Sequence, residues 1–360
     1  MDQGIEDRHR RVADYLERLQ RAGEFPGLQY VVFDRDGVVD SHAVGLADVG
    51  AGRPMTSRTR LNVFSTTKLV TAVCLLQLQE RGLLDLQDEA GRYLDYLPYK
   101  GITLGQLASH SAGVPDPVLG NFYVHWQEEH ASFDREALLR RVVTRSSKPR
   151  FPPGQGAAYS NLGYALLGQV IERVSGTSYE SYAQANVFQP LGLGAGDIHF
   201  GAQDYGVDAR PYFKRSQLLF QVLARFVLKG GRLRRQGAWV ALENRFYLNA
   251  PAHGGIISSA ESYAVVFRDL LRPDSRLLGA EARELMFTEQ VRTDKAAFAL
   301  SWFIQEREGR RLFSHRGGGL GYASEVRLYP ESGLGSVLLI NMTTPSKKAS
   351  PDLLDREYLP

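Results

Sequence analysis

The stretch Leu61–Val73, LNVFSTTKLVTAV, decides how this chain is read. A polar cluster, Ser65-Thr66-Thr67-Lys68, opens an apolar run, a helix is expected over Thr67–Arg81, and Gly82 supplies its C-terminal stop. Ser65 and Lys68 are three apart, which puts them on one helical face, a turn from each other. A serine hydroxyl is a poor nucleophile until a neighbouring base takes its proton. A desolvated lysine can be such a base, because burial disfavours its charged form. At a helix start, Ser65 would also have free N–H groups and the helix dipole to favour developing negative charge. Taken alone, the same four residues read better as a capped helix start than as a catalytic pair.

Working outward, the chain has 360 residues, 43% hydrophobic and 23% charged, ordinary values for a globular protein with a sizeable core. The net charge of +3 is too small for a nucleic-acid footprint over the whole chain. Cys74 is the single cysteine, so no internal disulfide forms, and it falls in an apolar helical run where a packed thiol is expected. The N-terminal residues MDQGIEDRHRRVADYLERL are charged and helically periodic, without a secretory signal pattern. The expectation is a soluble, cytoplasmic protein, with a mature chain freed of its leader as the alternative. Oligomeric state is open.

A first helix is expected over about 5–22, then a hairpin with strands Tyr30–Phe33 and Val38–Val44 around Asp34-Arg35-Asp36-Gly37. Thr103 and Gln106 form a capping-box pattern before a helix Leu104–Ser109. Helices are expected over Asp134–Val143 and Leu162–Val174, separated by the Pro/Gly-rich loop FPPGQGAAYSNLG, so the middle reads as mostly helical. Later, a helix capped at Ser258 with Glu261 precedes four short alternating runs that read as an antiparallel meander. The fold class is α/β (α+β): an antiparallel sheet flanked by helices, with an inserted helical lobe. One catalytic domain is expected over 1–360. Its α/β lobe comprises about 1–60 and 250–360, its helical lobe about 61–249, with a cleft between them.

Segment 214–235 carries an apolar stripe from Leu218 to Val227 surrounded by Lys214, Arg215, Arg225, Lys229, Arg232, Arg234 and Arg235. A lid helix or a weak membrane-surface contact is one reading. A core-packed helix with a solvated basic face is the plainer one, and is preferred.

Two further motifs carry chemistry. Tyr159-Ser160-Asn161 lies in the loop before a helix. A tyrosine near a lysine can share a proton, and Asn161 can hydrogen-bond Lys68 or a substrate amide. His315-Arg316-Gly317, followed by Gly318-Gly319, lies on an expected strand, where period-two alternation puts His315 and Gly317 on one face and Arg316 on the other. The Gly318 N–H could pair with that of Ser65 as an oxyanion hole. Each motif alone also fits a packing or capping role.

Together, Ser-x-x-Lys at a helix start, Tyr-x-Asn in a helical region and His-x-Gly on a late strand resemble the serine β-lactamase and penicillin-binding-protein superfamily. Tyr-x-Asn points to its class C β-lactamase-related branch, with family VIII esterases and D-aminopeptidases. HSAGVPD at 110–116, FQPLGL at 188–193, GGIISSAES at 255–262 and residues 315–341 are similar in wording. The resemblance covers about 25–342, and 200–250 matches it poorly. It implies a β-lactamase/transpeptidase-like fold and acyl transfer without metal or other cofactor. Ser65 would be the acylated nucleophile, with Lys68 and Tyr159 relaying its proton. Asn161 would orient Lys68 or the substrate, His315 and Gly317 would line the cleft, and Ser65 and Gly318 N–H groups would hold the oxyanion.

The third motif is His-Arg-Gly where relatives have Lys-Thr-Gly, so a permanent cation for a β-lactam carboxylate is missing. The expectation is therefore a serine hydrolase of a small ester, amide or peptide. The alternative is a transacylase or D-amino-acid peptidase in a biosynthetic pathway. A true β-lactamase or a non-catalytic binding protein fits the residues less well.

Overall fold

The computed structural model describes residues 3–117, 122–216, 231–343 and 345–359. The first helix spans Gln3–Arg21 and ends at Gly23, whose φ of +68° suits a residue without a Cβ. Val12, Leu16 and Leu19 form its buried stripe.

Nine antiparallel strands form the main sheet, with edge-to-edge order Val291–Arg292, Ala297–Phe298, Phe303–Arg307, Arg310–Gly319, Tyr322–Tyr329, Leu334–Ile340, Gly27–Asp34, Val38–Asp48 and Arg53–Pro54. The expected hairpin and meander are thus parts of one sheet. One inner strand, Gly27–Asp34, is covered on both faces. Leu28, Tyr30 and Val32 join a core with the first helix and the C-terminal Leu354 and Tyr358. Val31 and Phe33 join the larger core on the other face. Strict alternation divides a continuously apolar strand between two layers. The resulting arrangement is mixed α/β, with an antiparallel sheet flanked by helices.

The helix Thr67–Glu80 lies inside the larger core, and every residue from Thr67 to Leu78 is buried. Its sequence is apolar on nearly all sides, as a central helix requires. Cys74 is a free, buried thiol in it, and burial pushes its pKa up. Shorter helices follow at Leu104–Ala108, with the Thr103/Gln106 capping box formed, at Arg135–Arg145, and at Asn161–Ser175, which stops at Gly176.

One expectation is extended and one corrected. The middle, expected to be mostly helical, also carries short strands. Leu61–Asn62, Ile256–Ser258 and Ile198–Phe200 form one small sheet, and Tyr212–Lys214, Trp239–Leu242 and Leu233–Gln236 another. Val124–Trp126 pairs with Phe246–Leu248. Strands of two to four residues are too short to show a period. The cap of the helix Ala260–Leu271 is Ser259, which accepts from Ser262 N, because Ser258 pairs as a strand residue with Leu61 and Ile198. Glu261 instead accepts from the Ser41 hydroxyl at 2.6 Å.

Of segment 214–235, Lys214 ends one strand and Arg234 and Arg235 lie in another. The helix expected between them lies outside the described residues. No described helix is long and apolar enough to cross a membrane.

Candidate active site

Ser65 sits in a tight turn, Phe64–Thr66, that runs directly into the Thr67–Glu80 helix. The turn is made sharp by Phe64, whose φ of +47° is costly for a side-chain-bearing residue, by about 1–2 kcal/mol. Asn62 Oδ1 accepts from Phe64 N at 2.7 Å and holds that conformation. The Phe64 ring packs near Phe246 and Tyr322.

The Arg310–Gly319 strand lies directly on this turn. A Cβ on Gly317 would fall within 3.0 Å of Val63 O, Ser324 Oγ and Ser65 N, and one on Gly319 would enter the Phe64 ring. A Cβ on Gly318 would meet nothing closer than Tyr322 O at 3.6 Å. Two of the three glycines are therefore demanded by the approach of the Ser65 turn, at a period of two. Beyond Ser314 the strand is paired only on its Tyr322–Tyr329 side, leaving backbone of 315–319 free to meet a substrate.

Lys68 is completely buried. Its Nζ donates to Asn161 Oδ1 at 2.9 Å and to the His253 carbonyl at 2.7 Å, and stands 4.9 Å from the centre of the Tyr159 ring. Burial holds its pKa well below the usual lysine range, partly countered by Asp116. Both acceptors can only accept. A neutral amine has two hydrogens and one lone pair, so these two bonds use the hydrogens and leave the lone pair.

Asn161 is the first residue of the helix Asn161–Ser175, placed there by the Ser160 cap. Its Nδ2 donates to Asp116 Oδ2 at 2.9 Å, which turns Oδ1 toward Lys68. Asp116 Oδ1 also accepts from Asn161 N, Leu162 N and the Ser160 hydroxyl. A carboxylate at a helix N-terminus is doubly favoured, by free N–H groups and by the dipole.

The Tyr159 hydroxyl is buried without a well-formed hydrogen bond, and Ser65 is the side chain within its reach. Burial raises its pKa far above the ordinary tyrosine value. A neutral phenol with an uncommitted O–H is a proton donor in waiting.

His315 is fully buried, 6.0 Å from Tyr159 between ring centres. Its Nδ1 lies 2.6 Å from the Ser301 carbonyl. A carbonyl only accepts, so Nδ1 carries the hydrogen and Nε2 offers a lone pair. Nε2 is buried and has no partner among the described residues. Desolvation, and then the Lys68 charge, push its pKa down to about 3. His315 is thus a neutral ring with one free acceptor nitrogen. Arg316 points the other way, mostly exposed and paired with Glu325.

The structure therefore brings Ser65, Lys68, Tyr159 and Asn161 together with His315 and Gly317, and Gly318 is next along the strand. Three participants were given no role from the residues alone. Asp116 ends the stretch HSAGVPD, where its wording was the only signal. The His253 carbonyl and the Ser301 carbonyl act through backbone, which leaves no mark on residue type. His110 adds a second buried neutral imidazole: its Nδ1 accepts from Ser160 N, its ring packs on Tyr159, and burial lowers its pKa.

A family model described as Beta-lactamase matches residues 12–359. Penicillin-binding protein 4* of Bacillus subtilis (strain 168) is 24% identical over 327 residues, which cover 90% of this chain and 70% of that protein. Other curated relatives, Protein flp of Staphylococcus aureus (strain N315) among them, are spanned over less than half of their length. Among solved structures, that of SurE superposes with a TM-score of 0.77 at 24% identity, covering 99% of this chain and 77% of SurE. D-amino acid amidase from Ochrobactrum anthropi SV3 gives a TM-score of 0.75 at 20% identity, covering 96% and 94%. At these identities the structural likeness establishes a shared fold.

Proposed function

The chain belongs to the Beta-lactamase family, and on that premise we propose that it is a serine hydrolase that works through a Ser65 acyl-enzyme on a small ester or amide. The observation that carries the reading is the Lys68 amine. It is buried, depressed in pKa and committed by two hydrogen bonds that leave one lone pair for the Ser65 proton.

In the proposed sequence Ser65 Oγ attacks the substrate carbonyl while its proton passes to Lys68 Nζ. The carbonyl oxygen becomes an oxyanion facing the N–H groups of Ser65 and Gly318. Collapse breaks the bond to the leaving group, which takes its proton from the Tyr159 hydroxyl, and Lys68 returns a proton to Tyr159. Water then attacks the acyl-enzyme by the reverse relay. Burial of Tyr159 favours its neutral form, which suits the acid role and leaves Lys68 as the first base.

The neutral His315 supports the choice of substrate. It offers a hydrogen-bond acceptor and no cation, so a substrate carboxylate gains no ion pair there. Esters, amides and peptides without a carboxylate at that point fit better than β-lactams. A D-amino-acid amide or peptide is the second reading, favoured by the fold shared with D-amino acid amidase over nearly the whole of both chains. Turnover of p-nitrophenyl acetate and butyrate, with Ser65→Ala as control, tests the proposal. Equal rates for wild type and variant would end it. Added amine or alcohol acceptors that outcompete water would redirect it to a transacylase.

A further inference from the structure

Between the first helix and the sheet three side chains converge that the reaction does not use. His9 comes from the first helix, and Asp40 and His42 from the Val38–Asp48 strand, where a spacing of two puts them on one face. Asp40 Oδ1 lies 2.6 Å from His9 Nδ1, and Oδ2 lies 3.2 Å from His42 Nε2. One nitrogen from each ring and one carboxylate oxygen all fall within 4.8 Å of one another. Among the described residues this is the only such cluster of three. Asp40 and His42 are buried while His9 is exposed, so the group is held from within and open to solvent on one side.

An aspartate ordering two histidines is the plainer account. Two features go beyond it. The imidazoles stack with centroids 4.6 Å apart at 19°, which sets the two rings side by side against one carboxylate. Tyr358 donates to Asp40 Oδ2 at 2.5 Å and packs 3.4 Å from His42 Nε2, fixing the carboxylate as outer-shell partners of metal ligands do. Arg8 over the Tyr358 ring and Tyr30 beside His42 complete the surroundings.

We propose that His9 Nδ1, His42 Nε2 and Asp40 form a binding site for one divalent transition-metal ion, with Zn2+ the best match to two imidazoles and a carboxylate. Three dative bonds form, and water supplies the open position. Each ligating nitrogen gives up its hydrogen, by tautomer exchange in a neutral ring or by release to solvent from a charged one. The strand bearing His315 is four ladder steps away, about 19 Å at the usual spacing. The ion would fasten the first helix to the sheet and to the C-terminal turn, and would take no part in acyl transfer.

The test uses the full chain, stripped with chelator and dialysed. Zn2+ titration by calorimetry should give one ion per chain and a raised thermal midpoint, and Co2+ should give visible d–d absorption. His9→Ala, on an exposed position that leaves the fold intact by circular dichroism, should weaken binding at least tenfold and abolish the midpoint shift. It should leave ester turnover unchanged. His42→Gln should weaken binding likewise. Absent binding, or binding unchanged in His9→Ala, would overturn the proposal.

Discussion

Replacing Gly317 by alanine should disable the site while the same change one residue later should not. A Cβ at 317 would sit 2.9 Å from Ser65 N and closer still to Val63 O and Ser324 Oγ. Two of those three atoms are backbone at the turn that carries Ser65. They can be relieved only by moving that turn away, by roughly 0.5–1 Å. Overpacking of this kind costs about 1–3 kcal/mol. With an unfolding entropy of about 2.1 cal/mol/K per residue, that lowers the midpoint of this chain by about 1–4 °C. The effect on rate is larger, because a nucleophile displaced by about 1 Å loses on the order of 100-fold. Gly318 has 3.6 Å of clearance, so Gly318→Ala keeps the N–H and should cost under about 0.5 kcal/mol. The assay is kcat/KM for p-nitrophenyl butyrate beside thermal melts of both variants. Equal activity in the two would refute the close approach of strand and turn.

Lys68→Met should lower kcat by about 100- to 10,000-fold, the range for a lost general base, in single-turnover assays of the ester. Because burial depresses the Lys68 pKa, the free base persists to lower pH than in an exposed lysine, and acylation should fall as pH drops through the Lys68 pKa, measured as a pH–rate profile. His253 and His315 are buried and each pushed down to about 3. Their folded pKa lies below the unfolded value, so the unfolded chain binds more protons, and stability is full above about 6.5 and lost as pH falls toward 3. At pH 5 the loss should reach about 2 kcal/mol for each, read by denaturant melts at pH 7 and 5. Asp116→Ala should cut activity at least tenfold by freeing Asn161, whereas exposed Arg316→Ala should change it less than twofold.

Much of this was legible in the residues. The apolar run after Ser65 marked a helix with a packed thiol at Cys74, as found. The order of motifs pointed to the family, and alternation along 315–319 separated His315 from Arg316. Other features depend on long-range contact and have no local signature. Asp116 reaches Asn161 across 45 positions, and the His253 carbonyl reaches Lys68 across 185. The neutrality of His315 follows from burial and a carbonyl at 2.6 Å, which residue type alone does not convey. Ser258 and Ser259 are equivalent as caps until strand pairing claims the first of them.

The central claim is that Ser65 is acylated with Lys68 as its base. Intact-mass spectrometry after a fluorophosphonate probe, followed by peptide mapping, addresses it directly. The account predicts a single adduct on Ser65, absent in Ser65→Ala and slowed at least 100-fold in Lys68→Met. An adduct at another residue, or one that forms at the wild-type rate in Lys68→Met, would contradict it.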